Sequence, residues 1–244
     1  AFAETVLSKD FDYLSIFKNS NSVADWLPKA ILLNTYSDSK IQLIANYEED
    51  IALTSGSTKN VTLRGEQLTI WREETLQFRD KDTQGNNAVV LGWDKGDSIK
   101  QKQFYQLSFS KPIDLAVFNS LIISIAHGDL SELEKGGDEP KKKTDKEAPI
   151  NFSIVLEDSL GQQVHVELNS IKKLAPRLKV QFEKLNLLQE EYGSIWEPTF
   201  ETLEIPRAKF TRPVTPLTNI KHIRFVFDLT PRGVIIIDDI GLGK

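Results

Sequence analysis

From Ile41 onward, hydrophobic and polar positions alternate in short runs broken by Gly, Asn, Asp and Pro, the pattern of pleated strands with one buried face. Ile41, Leu43, Ala45 and Tyr47 alternate with polar neighbours in the first run. Val61 to Trp71, Thr75 to Arg79 and Ala88 to Trp93 follow. Tyr105, Leu107 and Phe109 share one face of the next strand, and Phe104, Gln106 and Ser108 share the other. Leu121 to Ala126 is continuously apolar, as a strand in a sandwich core would be. Phe152 to Leu156 and Gln163 to Leu168 flank Asp158-Ser159-Leu160-Gly161, which predicts a hairpin. Thr199 to Ile205 precedes a proline-rich crossing. Ile223, Phe225, Phe227 and Leu229 are expected on one face, and Thr230-Pro231-Arg232-Gly233 turns the chain into Val234 to Leu242. At least nine strands without βαβ alternation predict an all-β fold, a sandwich or jelly roll.

Three segments depart from this rhythm. Residues 1–40 read as an N-terminal extension or linker packed through Trp26 and Leu27, leaving 41–244 as the β domain. The stretch 132–147 mixes charges with Gly and Pro between apolar strands, and is expected as a mobile surface loop. Leu185 to Tyr192 reads as one short helix or an irregular loop.

Composition narrows the classes. With 244 residues, 40% hydrophobic and 27% charged, the chain is long enough for a substantial core and is not disordered in composition. A net charge of −5 gives no basis for nucleic-acid binding. No apolar run approaches the roughly 18 residues of a membrane span. Cysteine is absent, which removes disulfides, thiolate metal sites and cysteine nucleophiles. Methionine is absent too, so the chain is expected to be a processed product or a piece of a longer polypeptide.

Enzyme motifs are missing. There is no G-x-S-x-G elbow, phosphate-cradling glycine loop or H-E-x-x-H pair. His127, His165 and His222 fall in separate strands without ligand spacing. Asp80-Lys81-Asp82 with Gly85 opens like a calcium loop, but Leu91 takes the twelfth position, so a plain hairpin turn is expected there. The sharpest signal is Val234 to Leu242, an apolar strand interrupted by two acids. Period two puts Asp238 on the face of Val234, Ile236, Ile240 and Leu242, where an ionised carboxylate needs a partner. Calcium bound by Glu48, Asp50 and Asp238 would answer that need. The alternatives are backbone N–H donors or an arginine.

Asn46-Tyr47-Glu48-Glu49-Asp50, Gly92-Trp93, Phe200 to Pro206 and Ile237-Asp238-Asp239-Ile240 together resemble the galactose-binding-like jelly rolls, a superfamily that includes many carbohydrate-binding modules. The resemblance spans Ile41 to Lys244. It implies a jelly-roll β-sandwich and a structural calcium held by the early glutamate Glu48 and the last-strand aspartate Asp238. The chain departs from the family in its N-terminal extension and its charged insertion at 132–147. Sugar recognition needs aromatic platforms and planar polar partners. Trp71 and Trp196 are candidate platforms, Trp93 is expected in the core, and His165, Glu167 and Arg224 are candidate polar contacts on the open face. The expectation is therefore a non-catalytic carbohydrate-binding accessory module of a secreted or cell-surface protein. It would bind a polysaccharide or glycan beside neighbouring domains of the same polypeptide. The alternatives are a structural or protein-interaction sandwich, and behind it a polysaccharide-acting enzyme.

Overall fold

The computed structural model describes residues 5, 7, 8, 11–18, 20–26, 28, 32–49, 52–78, 82–95, 102–134, 149–178, 198–210 and 218–244. Eleven strands lie among them. They are β1 (Gln42–Ala45), β2 (Val61–Glu66), β3 (Ile70–Phe78), β4 (Asp82–Asp94), β5 (Phe104–Ile113), β6 (Ser120–His127), β7 (Ser153–Asp158), β8 (Gln163–Glu167), β9 (Glu201–Pro206), β10 (Ile220–Val226) and β11 (Arg232–Gly243). One antiparallel sheet runs β3-β4-β11-β6-β9, with β1 also paired to β11, and the other runs β2-β5-β10-β7-β8. Counting β4 to β11 as eight consecutive strands gives the orders 1-8-3-6 and 2-7-4-5. That interleaving is a jelly roll, as expected.

Side chains from the two inner faces fill the space between the sheets. Trp93 stacks on Phe227 with ring centroids 4.2 Å apart, and Phe152 meets Phe225 and Phe227 edge-on. The Trp93 indole N–H donates to the Thr230 carbonyl at 2.9 Å, so its one polar group is satisfied. Gly233 lies under that indole, where a Cβ would sit 2.4 Å from the ring. A second apolar cluster, Leu76, Ala88, Val90, Ala126, Val234 and Ile236, lies apart from this core. β4 and β11 therefore bury apolar residues on both faces, which is why they read as unbroken runs.

Several boundaries differ from the sequence reading. The run from Val61 to Trp71 is two strands in two sheets, because Gln67 adopts φ +54° and turns the chain between them. In β1, Ile44 is buried and Leu43 is exposed, because the pairing with β11 shifts between Leu43 and Ala45. The hairpin of β7 and β8 is present, with Gly161 at φ +79° and the Asp158 carboxylate accepting from the Leu160 and Gln162 N–H groups. Leu229 is exposed, unlike Ile223, Phe225 and Phe227.

The N-terminal segment is not fastened by Trp26, which is 77% exposed; Leu27 lies outside the described residues. It is held instead by a Lys18–Glu204 ion pair at 2.9 Å and by backbone bonds at β9, where the Thr202 N–H donates to the Asn34 carbonyl. Of the charged insertion, Leu130–Glu134 forms a helical turn, and 135–148 lies outside the described residues. The same holds for Leu185 to Tyr192.

Candidate functional site: the outer face of the five-stranded sheet

Registers across the second sheet line its outer side chains into three rungs. Arg64, Gln106, Arg224, Val155 and His165 form the central rung. Thr62, Ser108, His222, Glu157 and Gln163 lie on one side of it. Glu66, Phe104, Val226, Ser153 and Glu167 lie on the other. The reason is period two: Tyr105, Leu107, Ile223, Phe225, Ile154, Leu156, Val164 and Val166 all belong to the core, so their neighbours in sequence must point out.

Hydrogen bonds knit the middle of this face. Arg224 Nη1 and Nη2 donate to Glu157 Oε2 and Oε1 at 2.6 and 3.1 Å, and Arg224 Nε donates to Gln106 Oε1. Gln163 Nε2 donates to Glu157, and Gln106 Nε2 donates to Ser108 Oγ at 2.7 Å. His222 Nδ1 lies 3.0 Å from Ser108 Oγ. The Arg224 guanidinium lies over the Phe104 ring, 5.7 Å from its centroid. Burial alone would raise the Glu157 carboxyl, but the hydrogen bonds from Arg224 and Gln163 outweigh it and hold that group below the usual carboxylate range. Burial, followed by the Arg224 charge, pushes His222 below the ordinary histidine value, so its ring is neutral at pH 7.

His165, Glu167 and Arg224 thus stand on one open face. Phe104, Glu157, Gln163 and His222 join them, with Gln106 and Val155 buried among them. Their signal was present in the chain: each alternates with core residues of its own strand. Trp71 stands elsewhere. It is on β3 in the other sheet, paired with the core residue Leu91, with its ring packed on the core and meeting Tyr105 edge-on at 6.5 Å. Trp93 is fully buried, and Trp196 lies outside the described residues.

The acidic ends of the β domain behave differently from the period-two reading. The β11–β6 register shifts between Ile237 and Ile240, so Asp238 and Asp239 sit in a bulge. Ile235, Ile237, Ile240 and Leu242 all enter the main core, whereas Val234 and Ile236 join the second cluster. Asp238 therefore does not share a face with Ile240 and Leu242. The extra residue of the bulge restores the core phase after it. At the bulge β11 changes neighbours, from β4 at Ile237 to β1 at Ile240. Burial first, then the charges of Asp239 and Glu48, push Asp238 up to about 6, against a hydrogen bond from Asn86. Burial and Glu48 raise Asp239 as well. Glu48 accepts from the Asn87 N–H at 2.7 Å, and Asp50 lies outside the described residues. Among the described residues, no group of three or more His, Cys, Asp or Glu side chains is arranged to hold a metal ion. Asp80 and Lys81 lie outside them, but β3 and β4 pair out to Phe78 and Asp82, the hairpin expected there.

No protein-family model matches the sequence, and no curated protein matches it. Solved structures similar to the chain include a family 11 carbohydrate-binding module from Clostridium thermocellum in complex with a β-1,3-1,4-mixed-linked tetrasaccharide. That match has 12% identity and a TM-score of 0.45, over 84% of this chain and 96% of the other. A family 30 carbohydrate-binding module of a cellulosomal cellulase from the same organism matches with 13% identity and a TM-score of 0.42, over 76% and 93% of the two chains. An exo-β-agarase matches with 12% identity and a TM-score of 0.44, over 84% of this chain and 24% of the enzyme. Among the described residues, no helix is long and apolar enough to cross a membrane.

Proposed function

We propose that the chain is a non-catalytic carbohydrate-binding module, an accessory part of a secreted or cell-surface protein, with the outer face of the five-stranded sheet as its binding surface. The observation that supports this is the cross-strand band of planar polar side chains Arg224, His165, His222, Glu157 and Gln163, with buried Gln106 bonded to Arg224 beneath it. Such groups pair with sugar hydroxyls, which are both donors and acceptors. Neighbouring strands lie about 4.8 Å apart, so a glycan crossing them passes Arg224 and His165 in the central rung, with Val155 between them, and His222, Glu157 and Gln163 on successive strands of the next. His165 and Glu167 are the exposed members at the β8 edge and Arg224 is the central one. Trp71 serves packing in this reading. Binding positions the glycan, and no bond is made or broken.

Calcium is part of the proposal. It takes oxygen ligands, and the expected site at Glu48 and Asp238, with Asp50 outside the described residues, is supported by the Glu48 charge reaching Asp238 where β11 changes neighbours. Bound there, the ion would offset the mutual repulsion of these acids and stabilise the strand junction.

Affinity electrophoresis tests the reading, in native gels cast with hydroxyethylcellulose, mixed-linkage β-glucan, xylan or agarose. The expected result is retardation by at least one of these, lost in Arg224→Ala and His165→Ala. Unchanged wild-type mobility in all of them contradicts it.

A further inference from the structure

Arg224 occupies the middle strand of the five, in the middle rung of its outer face. Of its five N–H donors, three are engaged, by Gln106 and by both oxygens of Glu157, and two remain for a ligand. The fork-on-fork pairing fixes the guanidinium as a plane, and the Phe104 ring lies beneath it. An arginine at the centre of an open face would otherwise attract any polyanion. Glu157 cancels that charge at contact distance, and its other neighbours add none at neutral pH. Gln163 is uncharged, and His222, whose Nε2 lies 3.9 Å from Glu157 Oε1, is neutral there.

Resting on the glycan-binding reading above, we infer that Glu157 is a positioning and specificity-determining residue. It holds Arg224 flat as a seat for a sugar ring and cancels its charge, so that the face admits neutral glycans and rejects uronate or sulfate polymers. Two functions of one carboxylate are separable by substitution. Glu157→Gln removes the charge and keeps the size. Glu157→Asp keeps the charge and draws the carboxylate back, out of reach of both Arg224 nitrogens.

Affinity electrophoresis with neutral polysaccharides and with polygalacturonate reads both functions, with thermal melts to establish that each variant is folded. Wild type is expected to be retarded by a neutral polymer and to ignore polygalacturonate. Glu157→Gln is expected to lose about tenfold or more in affinity for that neutral polymer, the scale of a charged hydrogen-bonded pair. It should also gain retardation by polygalacturonate that disappears on adding salt. Glu157→Asp should lose neutral affinity without gaining the polyanion. Removing the arginine in Glu157→Gln/Arg224→Gln should abolish the polyanion binding. A charge-neutral but merely structural role would not move selectivity in this way. Wild-type retardation together with unchanged selectivity in Glu157→Gln overturns the inference and leaves the glycan reading standing. Absence of wild-type retardation in every neutral polymer overturns both.

Discussion

Trp71 packs its indole over Gly65, where a Cβ would lie 2.6 Å from the ring, so the glycine is what lets the two edge strands approach. Trp71→Ala is expected to cost about 3 kcal/mol of stability, the low end for deleting a buried tryptophan, because this one is only half-buried. Retardation by glycans should be unchanged, since the ring is not on the polar face. Denaturant melts and affinity gels of the same variant check both halves. Asp238 gives a prediction of opposite sign to the usual carboxylate. The folded group titrates at about 6, whereas an unfolded aspartate titrates near 4, so the fold holds this proton more tightly than the unfolded chain does. In chelator, the Asp238 contribution therefore destabilises the fold above about pH 6 and is relieved as pH falls towards about 4. Asp238→Asn should raise the melting temperature at about pH 7.5 in chelator by about 2–4 °C, after allowing for solvent screening, and the gain should shrink towards about pH 4.5. In the same melts, calcium should stabilise wild type and not the variant. Single residues were readable where the alternation is clean. His165, Glu167 and Arg224 reached the outer face because Val164, Val166, Ile223 and Phe225 left them no other. Glu157 was harder to single out, because its importance lies in Arg224, a partner 67 residues away.

Element boundaries failed to read wherever the backbone leaves regular pleating. The β11 bulge adds one residue between Ile237 and Ile240, and period-two counting through it misplaces the acid relative to Ile240 and Leu242. Gln67 at positive φ breaks what looks like one strand, and the nearest glycine, Gly65, belongs to β2 and not to the turn. A similar dependence on distant partners holds 171–178 in place. Lys172 forms a largely buried ion pair with Glu201, whose side chain is 1% exposed and whose other oxygen accepts from the Ala175 N–H at 2.8 Å. Arg177 pairs with Asp129 beside it. Glu201→Gln should cost about 3 kcal/mol, because it leaves the Lys172 ammonium poorly solvated and unpaired. Replacing both members by apolar residues, as in Lys172→Met/Glu201→Leu, should recover much of the loss. Urea unfolding of the single and double variants measures this coupling.

The whole molecule distributes its two outer faces unequally. The six-stranded sheet carries the second apolar cluster, with the chain around Leu130 and Leu133 and the side chain of Phe200 packed against it. The five-stranded sheet presents internally paired polar groups, and that asymmetry makes it the candidate binding surface. The jelly-roll architecture was legible because each strand declares its buried face and turn residues separate the strands. The strand order was not, since it depends on which non-consecutive strands pair, as β11 does with β4, β6 and β1. Whether Trp71 faces in or out was not legible, since a tryptophan on a strand reads the same either way; its ring packs on the core. The most direct measurement is a titration of ¹⁵N-labelled protein with a neutral soluble oligosaccharide, following amide chemical shifts. The account predicts that shifts concentrate at Gln106, Val155, Glu157, His165, His222 and Arg224, and leave Val90, Ala126 and Ile236 unmoved. Shifts confined to the outer face of the six-stranded sheet, or none with any neutral glycan, would contradict it.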